Sequence, residues 1–309
     1  MRFKNLVACK LAVAAITSSG GAQAYELGYP GWSTPPGAMM TLSAASLPTG
    51  VYSFNVIYTA QGHRHGPGDP NESTPLHVAS AVTGILWAPG WTVFGARYEA
   101  LVVQPFTMAD AGAPLNQQSS GIHNTLIAPI QLGWQLGDTG FHVKTGPAVT
   151  VPDGTISGEN GLADPGAPWW IFQPLLSISY IKHGWNLTGN FSVELNTPNT
   201  KTHYRTGDIL HADFAVTQAL GNWTVGPVAS YIGQVNNDTS SAFYRHAINV
   251  NRYNLFAVGA LVGYKFGPAT VNLWATKDIV ANASGGPTGP DRATILKGYK
   301  VFANLNFRF

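Results

Sequence analysis

The sequence predicts an all-β fold, a 12-stranded antiparallel transmembrane β-barrel. Three observations predict it. The chain ends on an alternating strand, period-two patterning recurs along its length, and tight turns alternate with long loops. In the last eleven residues Tyr299, Val301, Ala303, Leu305, Phe307 and Phe309 fall on one strand face. Lys300, Asn304, Asn306 and Arg308 fall on the other, with Phe302 the one apolar residue among them. An apolar face toward lipid and a polar face toward a lumen is what the closing strand of a membrane barrel needs.

Residues 1–24 read as a secretory signal, with Arg2, Lys4 and Lys10 as a basic start and Leu11 to Ile16 as a short apolar core. Ala22-Gln-Ala24 is a small-x-small cleavage site, so the mature chain is expected to start near Tyr25. Leu6-Val-Ala-Cys9 has the form of a lipoprotein box, but no apolar core precedes it. Cys9 is the single cysteine, so the mature chain has no disulfide chemistry. Residues 25–50, rich in Gly and Pro, are expected to be a periplasmic N-terminal segment or a plug. The barrel is assigned to residues 51–309.

Strands are expected at 51–59, 76–88, 91–104, 123–137, 140–151, 169–182, 184–196, 207–219, 222–235, 251–266, 269–277 and 296–309. Ala88-Pro-Gly90, Gly137-Asp-Thr-Gly140, His183-Gly184, Leu220-Gly221 and Phe266-Gly-Pro268 are the tight turns. Long loops lie at 60–75, 105–122, 152–168, 197–206, 236–250 and 278–295. Short periplasmic turns and long extracellular loops fit a bacterial outer-membrane barrel with both termini periplasmic. A soluble sandwich gives no reason for such strict alternation.

Composition agrees. Charged residues make up 10% of the chain, against roughly 25% in an average domain. Of 17 Lys+Arg, three lie in the signal, leaving 14 against 15 Asp+Glu, a net charge of −1. No nucleic-acid surface is expected, and no stretch of the mature chain has the ~20 apolar residues of a membrane helix. Trp134, Phe141, Tyr180, Trp185, Trp223 and Tyr264 sit beside the tight turns and face outward, as an interfacial belt requires.

The outward face is nearly free of charge: Leu126, Ala128, Ile130, Leu132, Trp134 and Leu136 on the fourth strand, and Phe256, Val258, Ala260, Val262 and Tyr264 on the tenth. The inward face carries Arg97 and Glu99, His142 and Lys144, His211 and Asp213, and Asn186, Thr188, Asn190, Ser192 and Glu194. Mixed signs argue against strong ion selectivity, and pairing across the barrel is the simplest role for these groups. Trp169, Ile171, Leu175, Trp274 and Phe302 also face inward. They could line the path of a hydrophobic solute or pack under an inward segment. Arg97, Glu99, Lys144, Glu194, His211, Asp213, Trp169 and Phe302 are the candidates for lumen or substrate contact. Twelve strands enclose more space than eight and less than a 16-stranded porin, so a narrow channel is expected.

Two regions carry a family resemblance. Glu26-Leu-Gly28, Pro35-Pro-Gly37 and Leu47-Pro-Thr-Gly-Val-Tyr52 form one. Tyr204-Arg-Thr-Gly-Asp208, Trp223-Thr-Val-Gly226 and Tyr231-Ile-Gly-Gln-Val-Asn-Asn-Asp238 form the other. The chain resembles the outer-membrane proteins associated with the meta pathway of phenol degradation, a transporter family. The resemblance implies uptake of aromatic or hydrophobic compounds and brings no catalytic residues. A simple structural role for Gly207-Asp208 is to shape the rim of its strand. The terminal Phe309 also resembles the assembly signal of outer-membrane proteins, so the barrel-assembly machinery is an expected partner, with outer-membrane lipid and a small aromatic or hydrophobic solute.

Other chemistries are weaker. His63 and His65, with Asp69, lack a fixed third metal ligand, so no metal and no cofactor are expected. A lipid hydrolase or acyltransferase would need a nucleophile and a base within reach of each other and of lipid. His123 with Ser119 and Ser120, or His246 with Ser240 and Ser241, would supply them, but neither pair carries a nucleophile signature. The expected function is passive uptake of small hydrophobic, above all aromatic, compounds; a lipid-modifying enzyme and a non-conducting structural barrel are the alternatives.

Overall fold

The structure is a computed structural model that describes residues 26, 28–113, 116–156, 164–246, 250–285 and 294–309. The expected signal and its cleavage site lie outside the described residues. Among the described residues twelve long strands form the barrel wall: β1 (Gly50–His65), β2 (Pro75–Ala88), β4 (Ala96–Ala111), β6 (Leu126–Gln135), β7 (Phe141–Thr150), β8 (Ile171–Lys182), β9 (Trp185–Asn196), β10 (Ile209–Leu220), β11 (Trp223–Gln234), β12 (Val250–Phe266), β13 (Ala269–Gly285) and β14 (Ile295–Arg308). Two short strands, β3 (Thr92–Val93) and β5 (Gln117–Ile122), pair only with β4. Each wall strand pairs antiparallel with its neighbours, and β1 closes the cylinder on β14 from Tyr52↔Arg308 to His65↔Ile295. Closure leaves the wall strands with no open edge for lipid to meet.

Alternation sorts the side chains. Along β9, Asn186, Thr188, Asn190, Ser192 and Glu194 turn inward, and Thr188 to Glu194 of these are buried. Trp185, Leu187 and Leu195 are exposed on the outside. On β14 the even-numbered Lys300, Phe302 and Asn304 are buried while Tyr299, Val301 and Leu305 are exposed. Aromatic pairs ring one end: Phe141 on Tyr180 at 5.1 Å, Trp223 on Tyr264 at 4.7 Å, and Trp87 on Trp91 at 5.1 Å.

The structure departs from the expected strands in three places. The first turn is longer than Ala88-Pro-Gly90. Residues 92–97 make a small hairpin in which Phe94 and Gly95 both have positive φ, 51° and 76°, so β4 starts at Ala96. A two-residue turn with both φ positive matches the twist of its strands.

At the opposite end, β1, β4 and β13 run beyond their expected ends, to His65, Ala111 and Gly285, and the 105–122 loop becomes a β4–β5 hairpin. Above lipid a strand needs no apolar face, so the alternation that marks its end in sequence disappears.

Third, β6 carries one extra residue. Its partners shift between Ile127 and Leu132, and Pro129 and Ile130 are exposed side by side. Tyr98 donates its hydroxyl to the Pro129 carbonyl at 2.7 Å. The bulge turns Leu126 and Ala128 inward, against the expected outward register; Ile130 onward keeps it. On β12 the expected outward face stands, with Val258 and Val262 exposed and Tyr253, Leu255, Ala257 and Leu261 buried.

Candidate functional site

Gly50 and Phe309 lie at the end that bears the five turns. Residues 28–49 lead away from Gly50 through the lumen. Arg97, near the foot of β4, bonds the Thr49 hydroxyl at 3.2 Å. The Leu47 amide donates to Glu99 Oε1 at 2.7 Å, and Ala44 N donates to Ser179 Oγ at 2.8 Å. Higher up, Gly37 N and Met39 N donate to the two oxygens of Asp213 at 3.0 and 2.9 Å. Asn190 Nδ2 donates to the carbonyls of Met39 and Leu42. Trp274 Nε1 donates to Gly37 O at 2.9 Å, and Ser33 gives its amide and hydroxyl to Glu194. Glu26, the first described residue, reaches the long-loop end, where Asn199, Thr202 and Tyr244 all donate to its carboxylate. The segment thus runs the length of the barrel. Its irregular backbone is tolerated at membrane depth because protein surrounds it.

Every candidate residue from the sequence faces this segment or touches one that does. Glu99 is 1% exposed and pairs with Lys144 at 2.6 Å. Lys144 also reaches Ala45 O at 3.4 Å. Glu194 stands 2.9 Å from His211 Nε2, a close contact without hydrogen-bond alignment. Trp169 bonds Asn196 and meets Tyr29 edge-on at 5.3 Å. Phe302, fully buried, stacks on Trp274 at 4.9 Å with the rings 2° apart, and packs on Tyr58. Lys300, next to it on the same face, pairs with buried Asp278. The lumen charges are therefore largely committed to one another and to the backbone of residues 33–47.

Open space lies on the other side of the segment. A cavity of about 270 Å³ runs between residues 30–42 and the inner wall of β1, β2, β4 and β6. Phe54, Val56, Tyr58, Val82, Leu101 and Val103 give it an apolar wall. Asp110, Ser119 and Thr294 line it toward the long loops, and Leu86, Leu101 and Gln131 toward the turns. Of the inward residues named from the sequence, Phe302 and Leu175 line it, while the charged candidates do not. Val56, Val82 and Val103 alternate as any core residue would, and Leu126 was hidden by the bulge.

At the rim, two of the segments carrying the family resemblance converge, residues 204–208 and 231–238. Tyr204 donates to Asp238 Oδ2 at 2.6 Å, and Gly207 N and Gln234 Nε2 donate to Oδ1. Asn236 exchanges two bonds with Asp208, and Arg205 pairs with Asp208 at 2.7 Å. Burial outweighs the bonds from Tyr204, Gly207 and Gln234 and pushes the Asp238 carboxyl up to about 6. Burial likewise raises Glu26. Asp208 shapes the entry to β10, the structural role expected of it.

The residues named for a hydrolase do not face lipid as such an enzyme needs. His123 is buried against the cavity, with its ring on the Asn124 carbonyl, away from lipid. Among the described residues the hydroxyls of Ser240 and Ser241 have no hydrogen-bond partner, so neither bonds the His246 ring. Asp69 accepts from Ser73 and Thr74, and His65 contacts Glu72 at 2.7 Å.

The family model described as "Putative MetA-pathway of phenol degradation" matches residues 62–289. No curated protein matches the chain. Among solved structures, an outer membrane channel from Pseudomonas putida F1 superposes with a TM-score of 0.70 at 11% identity, covering 85% of this chain and 97% of that one. The translocator domain of the autotransporter NalP from Neisseria meningitidis gives 0.45 at 11% identity, over 86% and 91%. A mutant of the TodX monoaromatic hydrocarbon channel gives 0.44 at 10% identity, over 94% and 98%.

Proposed function

This chain belongs to the family of the MetA-pathway of phenol degradation, and from that premise we propose that it is an outer-membrane channel for passive uptake of small hydrophobic, above all aromatic, compounds. The observation that carries the reading is the apolar cavity beside the threaded segment, lined from the long-loop end to the turn end of β2 and β4. An aqueous pore has no need of a wall of Phe54, Val56, Val82, Leu101 and Val103. A lumen filled for stability alone would not leave that wall uncovered. The family description supports aromatic cargo, and the likeness to the Pseudomonas putida channel supports the barrel that holds it.

In this reading the long loops face the medium and gather solute, and the five turns face the periplasm. Residues 28–49 act as a plug whose shape leaves one lane open, and the last strand is delivered to the barrel-assembly machinery by Phe309. Uptake is not catalysis: the protein lowers a barrier to diffusion and changes no bond. The test is growth of a deletion strain on a panel of aromatic carbon sources at limiting concentration. Growth that slows, and recovers when the gene is restored, supports the reading; growth that is unaffected on every source counts against it.

A further inference from the structure

The cavity has a property that its apolar wall alone does not imply. Among the described residues that line it there is no lysine and no arginine, whereas Asp110 and Asp164 both line it. The cations nearby do not themselves line it. Lys144 pairs with Glu99, Lys300 pairs with Asp278, and Arg97 bonds Thr49. Arg64, buried at the upper end of β1, donates to Thr294. Two histidines touch the lining: His77, exposed and bonded to the Thr59 hydroxyl, and His123, whose burial lowers its pKa and so disfavours a charged ring.

The lining is not devoid of polar groups. Ser80 and Thr107 place two hydroxyls 2.9 Å apart in the β2–β4 wall, and Gln173, Thr150 and Ser33 lie across the lumen. These are neutral donors and acceptors. They suit a hydroxyl or an amide on a ring. They do not repay the desolvation of a carboxylate, which needs a buried cation to enter such a space. On size, about 270 Å³ exceeds the ~150 Å³ of an engineered apolar cavity that takes benzene.

We propose that the cavity admits neutral single-ring aromatic compounds and refuses their carboxylates, so that the passage sorts aromatic solutes by charge. This rests on the channel reading above and narrows its cargo.

The test is binding to the full-length protein in detergent micelles, read by quenching of tryptophan fluorescence, Trp32 being in the lining. Benzamide and benzoate differ little in shape and chiefly in charge, and toluene serves as a third, wholly apolar probe. The expected result is at least tenfold tighter binding of benzamide than of benzoate at pH 7. A Val103→Lys variant places an ammonium in the lining and should narrow that ratio severalfold by improving benzoate. Leu126→Lys serves the same purpose if the first variant loses its folded barrel, which a heat-modifiable gel band reports. Equal binding of benzamide and benzoate overturns the charge rule and leaves the channel reading standing. Failure of all three probes to bind overturns both.

Discussion

At the scale of single residues, buried carboxylates hold the threaded segment in the lumen. Glu99 takes the Leu47 amide with one oxygen and Lys144 with the other. Glu99→Gln leaves Lys144 without its counter-charge, and breaking a buried pair in this way costs about 3–5 kcal/mol. That cost falls on the docking of residues 44–49, not on the ladder. The expected outcome is a severalfold rise in single-channel conductance in a planar bilayer with the heat-modifiable barrel retained.

Asp238 gives a pH dependence. Its folded value of about 6 lies above the ordinary 3.8. The protonated form is therefore favoured by the folded rim. The stabilisation is fully present below the ordinary value and is lost as pH rises through about 6. Two pH units correspond to ~3 kcal/mol. Amide exchange at Gly207, whose N–H bonds Asp238 at 2.7 Å, should slow between pH 7 and pH 5 after correction for intrinsic rates. In Asp238→Asn that step should vanish.

At the scale of elements, the twelve wall strands are legible because lipid on one side and polar lumen on the other impose period two. Legibility ends where that constraint ends. Gln61-Gly-His-Arg-His65 continues the β1 ladder without an apolar face, so its end is invisible in sequence. The β6 bulge is invisible for another reason: Leu126, Ala128 and Ile130 are all apolar, and one extra residue moves two of them inward without changing the pattern. Deleting Ile130 should restore strict alternation, turn Leu126 outward and remove part of the cavity wall. Loss of benzamide binding in a barrel that still folds would record it. For the threaded segment the sequence offers two alternatives, a periplasmic extension or a plug, and does not show how it is held. It is held by its backbone amides at Ser33, Gly37, Met39, Ala44 and Leu47, which leave no side-chain signature. Gly37 is the exception. Its φ is 96°, and a Cβ there would sit 3.3 Å from Met40 and 3.4 Å from Phe302. Gly37→Val should loosen the segment and raise conductance, with little change in barrel melting.

At the scale of the whole molecule, two lanes run side by side inside one cylinder. On the β8–β10 side, charged groups and the segment fill the lumen and fix each other. On the β1–β6 side, the wall is apolar and open. The polar candidates taken from the sequence fix the segment that bounds the second lane: Glu194 and Asp213 hold residues 33–39 on the β9–β10 side, and Glu99, at the foot of β4, anchors Leu47 below the apolar wall. The measurement that bears most directly on this arrangement is growth of a deletion strain carrying Val103→Trp, a substitution that fills the apolar lane and leaves the charged one untouched. Growth on a limiting aromatic carbon source should fall to that of the strain with no channel, while the barrel folds normally and growth on glucose is unchanged. Growth equal to that given by the unsubstituted chain would contradict the account.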